Sequence, residues 1–128
     1  MRALLLAVML VLAQPGTQAP GVVAESQAQG EWGVAAIDTR LNPQHRYTLQ
    51  VDGPDGSSFT LRYLQVYVSH QPTNGGSGND DGSFQGTAPY EADLVPPAPQ
   101  LLFWRYSAVL SPDQPAEMTI RLLDRGPG

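Results

Sequence analysis

The side chains able to do chemistry in this chain fall into three sets: twelve carboxylates, two histidines and a group of aromatics. A Ser–His–acid hydrolase needs a serine held on a sharp turn with a histidine in reach. His45 and His70 each stand at the edge of an alternating segment beside a turn, and no Gly-x-Ser-x-Gly occurs. Solvated surface imidazoles are the simpler reading. Paired carboxylates could serve glycoside hydrolysis. Most of the acids, among them Asp52, Asp55, Asp80, Asp81 and Asp113, stand in or beside turns, where Asp is favoured for backbone reasons. So small a domain offers little room for a deep cleft, and no catalytic residue is assigned.

Trp32, Tyr63, Tyr67, Tyr90, Phe103, Trp104 and Tyr106 lie in or near alternating segments. Flat rings on a sheet face can stack on the apolar C–H faces of a pyranose. Tyr67 and Phe103 fall on the opposite phase from their apolar neighbours, so with Trp32 they are the candidate carbohydrate contacts. The competing reading places them in the core, where large aromatics usually go. In the stretch from Asn74 to Ser83, Ser77, Asn79 and Asp81 alternate and Gly82 follows. This spacing resembles the first half of an EF-hand loop. Ser stands where the first Asp belongs, and Ala88 where a bidentate Glu is required. Asn79, Asp80 and Asp81 are the candidate Ca²⁺ ligands; a mobile connection rich in Gly and Ser competes. No other cofactor is implied. Pro96-Pro97-Ala98-Pro99 reads as a rigid connection rather than a polyproline ligand, because no basic residues flank it.

Composition narrows the partners. The net charge is −5, and every basic residue is Arg. Such a chain repels a phosphate backbone, which disfavours nucleic acid, and anionic membrane surfaces for the same reason. There is no Cys, which excludes disulfides, thiol nucleophiles, thiolate metal sites and a lipid-anchored Cys. The first residues have a separate look. After Met1 and Arg2, Ala3 to Ala13 is an unbroken apolar run, closed by Gln14-Pro15-Gly16. It is shorter than the roughly 17–25 residues of a membrane span and fits the apolar core of a signal peptide. Thr17-Gln18-Ala19 places small residues where a signal peptidase reads, with Val22-Val23-Ala24 as the alternative. Residues 1–19 are expected to be removed on export, giving a secreted or periplasmic protein with no transmembrane segment in its mature form. Six Arg then face twelve acids.

Any site must be positioned by strands. Residues 20–30 read as a flexible lead-in to one domain spanning 31–125. Trp32 to Thr39 is a short strand. Arg46 to Val51 alternates cleanly, with Tyr47, Leu49 and Val51 on one face. Asp52-Gly53-Pro54-Asp55-Gly56 is dense turn chemistry, so 46–69 reads as a β-hairpin. In its second arm the apolar phase passes from Phe59 and Leu61 to Leu64, Val66 and Val68, as a β-bulge or a bent strand would produce. Gln71 to Gly82 reads as a loop, and 83–93 as one weak strand near Tyr90. Leu101 to Leu110 and Glu117 to Leu123 complete the strand set. No helical periodicity appears. The expected fold is an antiparallel β-sandwich of about 6–8 strands, immunoglobulin-like or jelly-roll. Its expected core is Leu49, Val51, Phe59, Leu61, Leu64, Val66, Leu102, Trp104, Ile120 and Leu122. The expected function is a non-catalytic exported module contacting a protein or a cell-envelope component, with polysaccharide or other ligand binding as the alternative and a small hydrolase a distant third.

Overall fold

Alternating segments become strands, and the alternation fixes which side of each is dry. The computed structural model describes residues 21–29, 33–69 and 77–127; the apolar N-terminal run, Trp32 and His70 lie outside them. The strands in order are β1 (Val22–Ala28), β2 (Ala35–Arg40), β3 (His45–Asp52), β4 (Ser58–Ser69), β5 (Ser77–Thr87), β6 (Tyr90–Leu94), β7 (Leu101–Pro112) and β8 (Met118–Pro127). Every pairing is antiparallel, and the described residues contain no helix. One four-stranded sheet runs β1-β8-β3-β6 and the other β2-β7-β4-β5. The expected all-β, two-sheet architecture is what the chain adopts.

The core lies between the sheets. Tyr47, Leu49, Val51, Met118, Ile120 and Leu122 face Phe59, Leu61, Trp104, Ala108 and Leu110. Trp104 and Tyr47 bridge the sheets edge-to-face, with ring centroids 5.5 Å apart. The indole N–H of Trp104 donates to Gln65 Oε1 at 2.5 Å, which gives the buried Gln65 a partner. At one margin the two sheets are joined where the Ala36 N–H donates to Ser26 Oγ at 3.2 Å.

Four local expectations change. The segment taken as a lead-in contains β1, whose Ser26 pairs with Ile120 of β8. Residues 46–69 are not a hairpin: β3 pairs with β6 and β8, β4 with β5 and β7. The turn between them carries the chain from one sheet to the other. There the Ser57 N–H donates to the Pro54 carbonyl at 2.9 Å, and Gly56 takes the left-handed φ of 83° that a type II turn needs at its third position. Nor does the phase slip in β4. Phe59, Leu61, Tyr63, Gln65 and Tyr67 all face inward, which leaves Leu64 exposed and Val66 half-buried. The slip is in β7: Val68 pairs with Phe103 and Ser69 with Leu101, so Leu102 is the extra residue and lies 53% exposed. Leu64 and Leu102 are therefore outside the core.

The fourth change is β5, most of which reads as loop from its Gly, Ser, Asn and Asp content. Its pairing with β4 sets Gly78 opposite Tyr67, Gly82 opposite Tyr63 and Gly86 opposite Phe59. Each aromatic ring lies across its glycine: a Cβ on Gly78 would sit 2.5 Å from Tyr67 Cζ, and one on Gly86 2.8 Å from Phe59 Cζ. Rings shielding bare backbone supply the packing that the glycines lack. Gly86→Ala is accordingly expected to destabilise the fold by about 1–3 kcal/mol, because Phe59 is fully buried and has nowhere to move. Chemical denaturation checks this; an unchanged midpoint would mean that the ring does not rest on Gly86.

Candidate functional site

The other margin of the sandwich is where β5 and β6 stand as the outer strands of their sheets. Between them opens a cleft of about 260 Å³ lined by Tyr63, Gln65, Asp80, Phe84, Tyr90 and Tyr106, with Leu49, Ala92 and Leu94 as apolar floor. The register accounts for this lining. Gly78, Asp80, Gly82, Phe84 and Gly86 share the inner face of β5. Asp80 and Phe84 therefore flank Gly82, and the Tyr63 hydroxyl reaches across that glycine to within 3.0 Å of where a Cβ would be. From β6, Tyr90 packs on Phe84 at 5.4 Å between centroids. Tyr63 and Tyr106 stack at 6.4 Å with planes 14° apart. Asp93 borders the cleft, but it pairs with Thr48, and alternation turns its side chain to the outer face.

The polar groups here are unusual. Tyr106 is only 3% exposed, yet among the described residues its hydroxyl has no hydrogen-bond partner. Burial pushes that hydroxyl far above its usual pKa, with Tyr63 and Tyr90 adding to the shift, so it stays protonated. Gln65 Oε1 is taken by Trp104. Asp80 is exposed and has no ion pair among the described residues. Among the described residues, no Arg or His lines the cleft. A concave, aromatic-walled space with a few convergent polar groups is the usual form of a small-ligand site.

No protein-family model matches the chain, and no curated protein matches it. Among solved structures, the chain is similar to that titled "Crystal structure of PirA", at 12% identity and a TM-score of 0.46, covering 88% of this chain and 100% of that one.

The candidates read from the sequence do not gather in one place. Tyr67 faces inward over Gly78 and packs against the core. Phe103 lies on the opposite, outer face of the same sheet, with the Arg40 guanidinium 4.9 Å from its ring centroid. Trp32 lies outside the described residues. Asn79, Asp80 and Asp81 are consecutive on β5, so the side chains of Asn79 and Asp81 point away from that of Asp80 and the three cannot close on one cation. Among the described residues, no group of three or more His, Cys, Asp or Glu is placed to hold a metal ion. His45 does meet an acid: its Nδ1 lies 2.8 and 2.9 Å from the two Asp124 oxygens. Burial pushes the Asp124 carboxyl up, but the Gly126 N–H and His45 outweigh it and hold the group below its usual range. This pair clamps the start of β3 to the end of β8 and borders neither the cleft nor the outer-face depression.

A larger, shallower depression of about 690 Å³ lies on the outer face of the β2-β7-β4-β5 sheet, around Arg62, Leu64, Asp81, Ser83, Ser107 and Val109. No helix among the described residues is long and apolar enough to cross a membrane.

Proposed function

We propose that the protein is an exported, non-catalytic binding module whose cleft between β5 and β6 takes a small ligand. The observation that carries this reading is the aromatic-walled cleft with the buried, unpartnered Tyr106 hydroxyl on its wall. Buried polar groups are nearly always satisfied, and a ligand seated there would satisfy this one. The finer fold type is a jelly roll. Support comes from the strand order β1-β8-β3-β6 against β2-β7-β4-β5, in which four strand pairs wind across both sheets as two Greek keys do. Export rests on the apolar run after Arg2; β1 begins at Val22, so cleavage after Ala19 would leave it whole.

A second reading, contact with a protein or cell-envelope component, is favoured by Leu64 and Val109, 41% and 39% exposed on the outer-face depression beside Arg62. Saturation-transfer NMR separates the two. Single-ring monosaccharides, cyclic alcohols and cyclic amines are screened against the folded chain. Binding by at least one class is expected, lost in Ala92→Phe, which fills the cleft, and kept in Leu64→Asp on the outer face. The reverse pattern would favour the surface reading, and no binding by any class would refute the cleft.

A further inference from the structure

We propose that the cleft selects a small organic ammonium ion over a neutral molecule of the same shape. This rests on the cleft being a ligand site and adds the charge of what it holds. The rings, the carboxylate and one hydroxyl around the space suit a cation. Tyr63, Phe84, Tyr90 and Tyr106 offer ring faces and edges within one 260 Å³ volume, and π-faces attract ammonium groups most strongly where water is excluded. Asp80 stands on the same strand face as Phe84, flanking the Tyr63 hydroxyl at the mouth. Its carboxylate has no cation among the described residues to neutralise it. The buried Tyr106 hydroxyl has free lone pairs that can accept an ammonium N–H. Among the described residues, no guanidinium or imidazole lines the space to repel the ligand. Two described arginines are engaged elsewhere: Arg105 holds Asp38 on the outer face at 2.6 Å, and Arg121 bridges Glu25 and Asp52 on the other sheet. The cleft also lies just under the roughly 300–1,000 Å³ of pockets that hold drug-sized ligands, which limits the occupant to about one ring.

The test uses a matched pair, cyclohexylammonium and cyclohexanol, titrated calorimetrically into the folded chain at pH 7 and low salt. The amine is expected to bind at least tenfold more tightly, with an advantage that shrinks as salt is raised. Asp80→Asn should reduce that advantage, taken as the ratio of the two affinities, at least fivefold. Asp80 is exposed and unpaired, so this variant keeps the fold, which circular dichroism verifies. Tyr106→Phe, which keeps the ring and removes the hydroxyl, should weaken the amine more than the alcohol. Equal binding of amine and alcohol, or an advantage that survives Asp80→Asn, overturns the charge selection and leaves the cleft standing as a site for neutral ligands. Failure of both probes to bind overturns the charge selection as well, and the NMR screen then decides whether the cleft binds anything.

Discussion

Trp104→Ala is expected to lower the unfolding free energy by about 3–5 kcal/mol. The indole is fully buried, and its ring is the edge-to-face contact that ties β7 of one sheet to Tyr47 on β3 of the other. Truncation empties the centre of the sandwich, and neighbours drawn from two stiff sheets relax only in part. It also removes the donor to Gln65 Oε1, leaving a buried carbonyl unsatisfied, which pushes the loss towards the upper end of the range. Trp104→Phe separates the two contributions: most of the packing stays and the hydrogen bond goes, for a cost of about 1–3 kcal/mol. Urea unfolding followed by far-ultraviolet circular dichroism reads both. A Trp104→Ala loss below about 1 kcal/mol, within the reach of ordinary surface substitutions, would place the indole outside the core.

Ile120→Ala is expected to cost about 2–5 kcal/mol. Ile120 has no exposed surface and lies in the interior strand of its sheet, opposite Ser26 on β1 and Val51 on β3. A cavity there cannot be filled without moving both neighbouring strands. Leu64→Ala and Leu102→Ala, which remove the same three carbons from an equally apolar side chain, are expected to stay within about 0.5 kcal/mol, as exposed substitutions do. The sequence pattern assigns all three residues to the core, so the same denaturation series tests that pattern against the observed burial.

These residues show what the pattern conveys and what it leaves open. Strict alternation in Tyr47-Leu49-Val51 and Met118-Ile120-Leu122 marks the dry face correctly, because a half-buried strand has no other way to place its apolar side chains. Alternation says nothing of the partner strand, so the turn at Pro54–Ser57 reads equally well as a hairpin or as a crossing between sheets. Leu101-Leu102-Phe103 is apolar without a break, and the bulge that expels Leu102 leaves no mark there. β5 hides for a different reason: its strand character belongs to β4. A trace does exist in the sequence, since Phe59, Tyr63 and Tyr67 recur every fourth residue and so do Gly78, Gly82 and Gly86. The cleft follows the same division. Tyr63, Tyr90 and Tyr106 stand out as aromatics, but it takes the pairing of β4 with β5, and the packing of β6 from the other sheet, to bring them together with Phe84 and Asp80.

The order of the strands also governs how quickly the chain can find its fold. Of the six strand pairings among the described residues, β4 with β5 alone joins consecutive strands. At the other extreme, Val22 pairs with Leu123. Almost every ladder therefore closes a long loop before it is rewarded by contacts, the condition that places sandwich folding in the range of milliseconds to seconds. The one local pair is the glycine-rich pairing of β4 with β5, and β7 docks on the opposite edge of β4. A protein translocated unfolded would thus pass a measurable interval with its unpaired strands open to proteases and to neighbouring chains. For this topology, slow closure of the sandwich lengthens the time for which unpaired strand edges are open to aggregation.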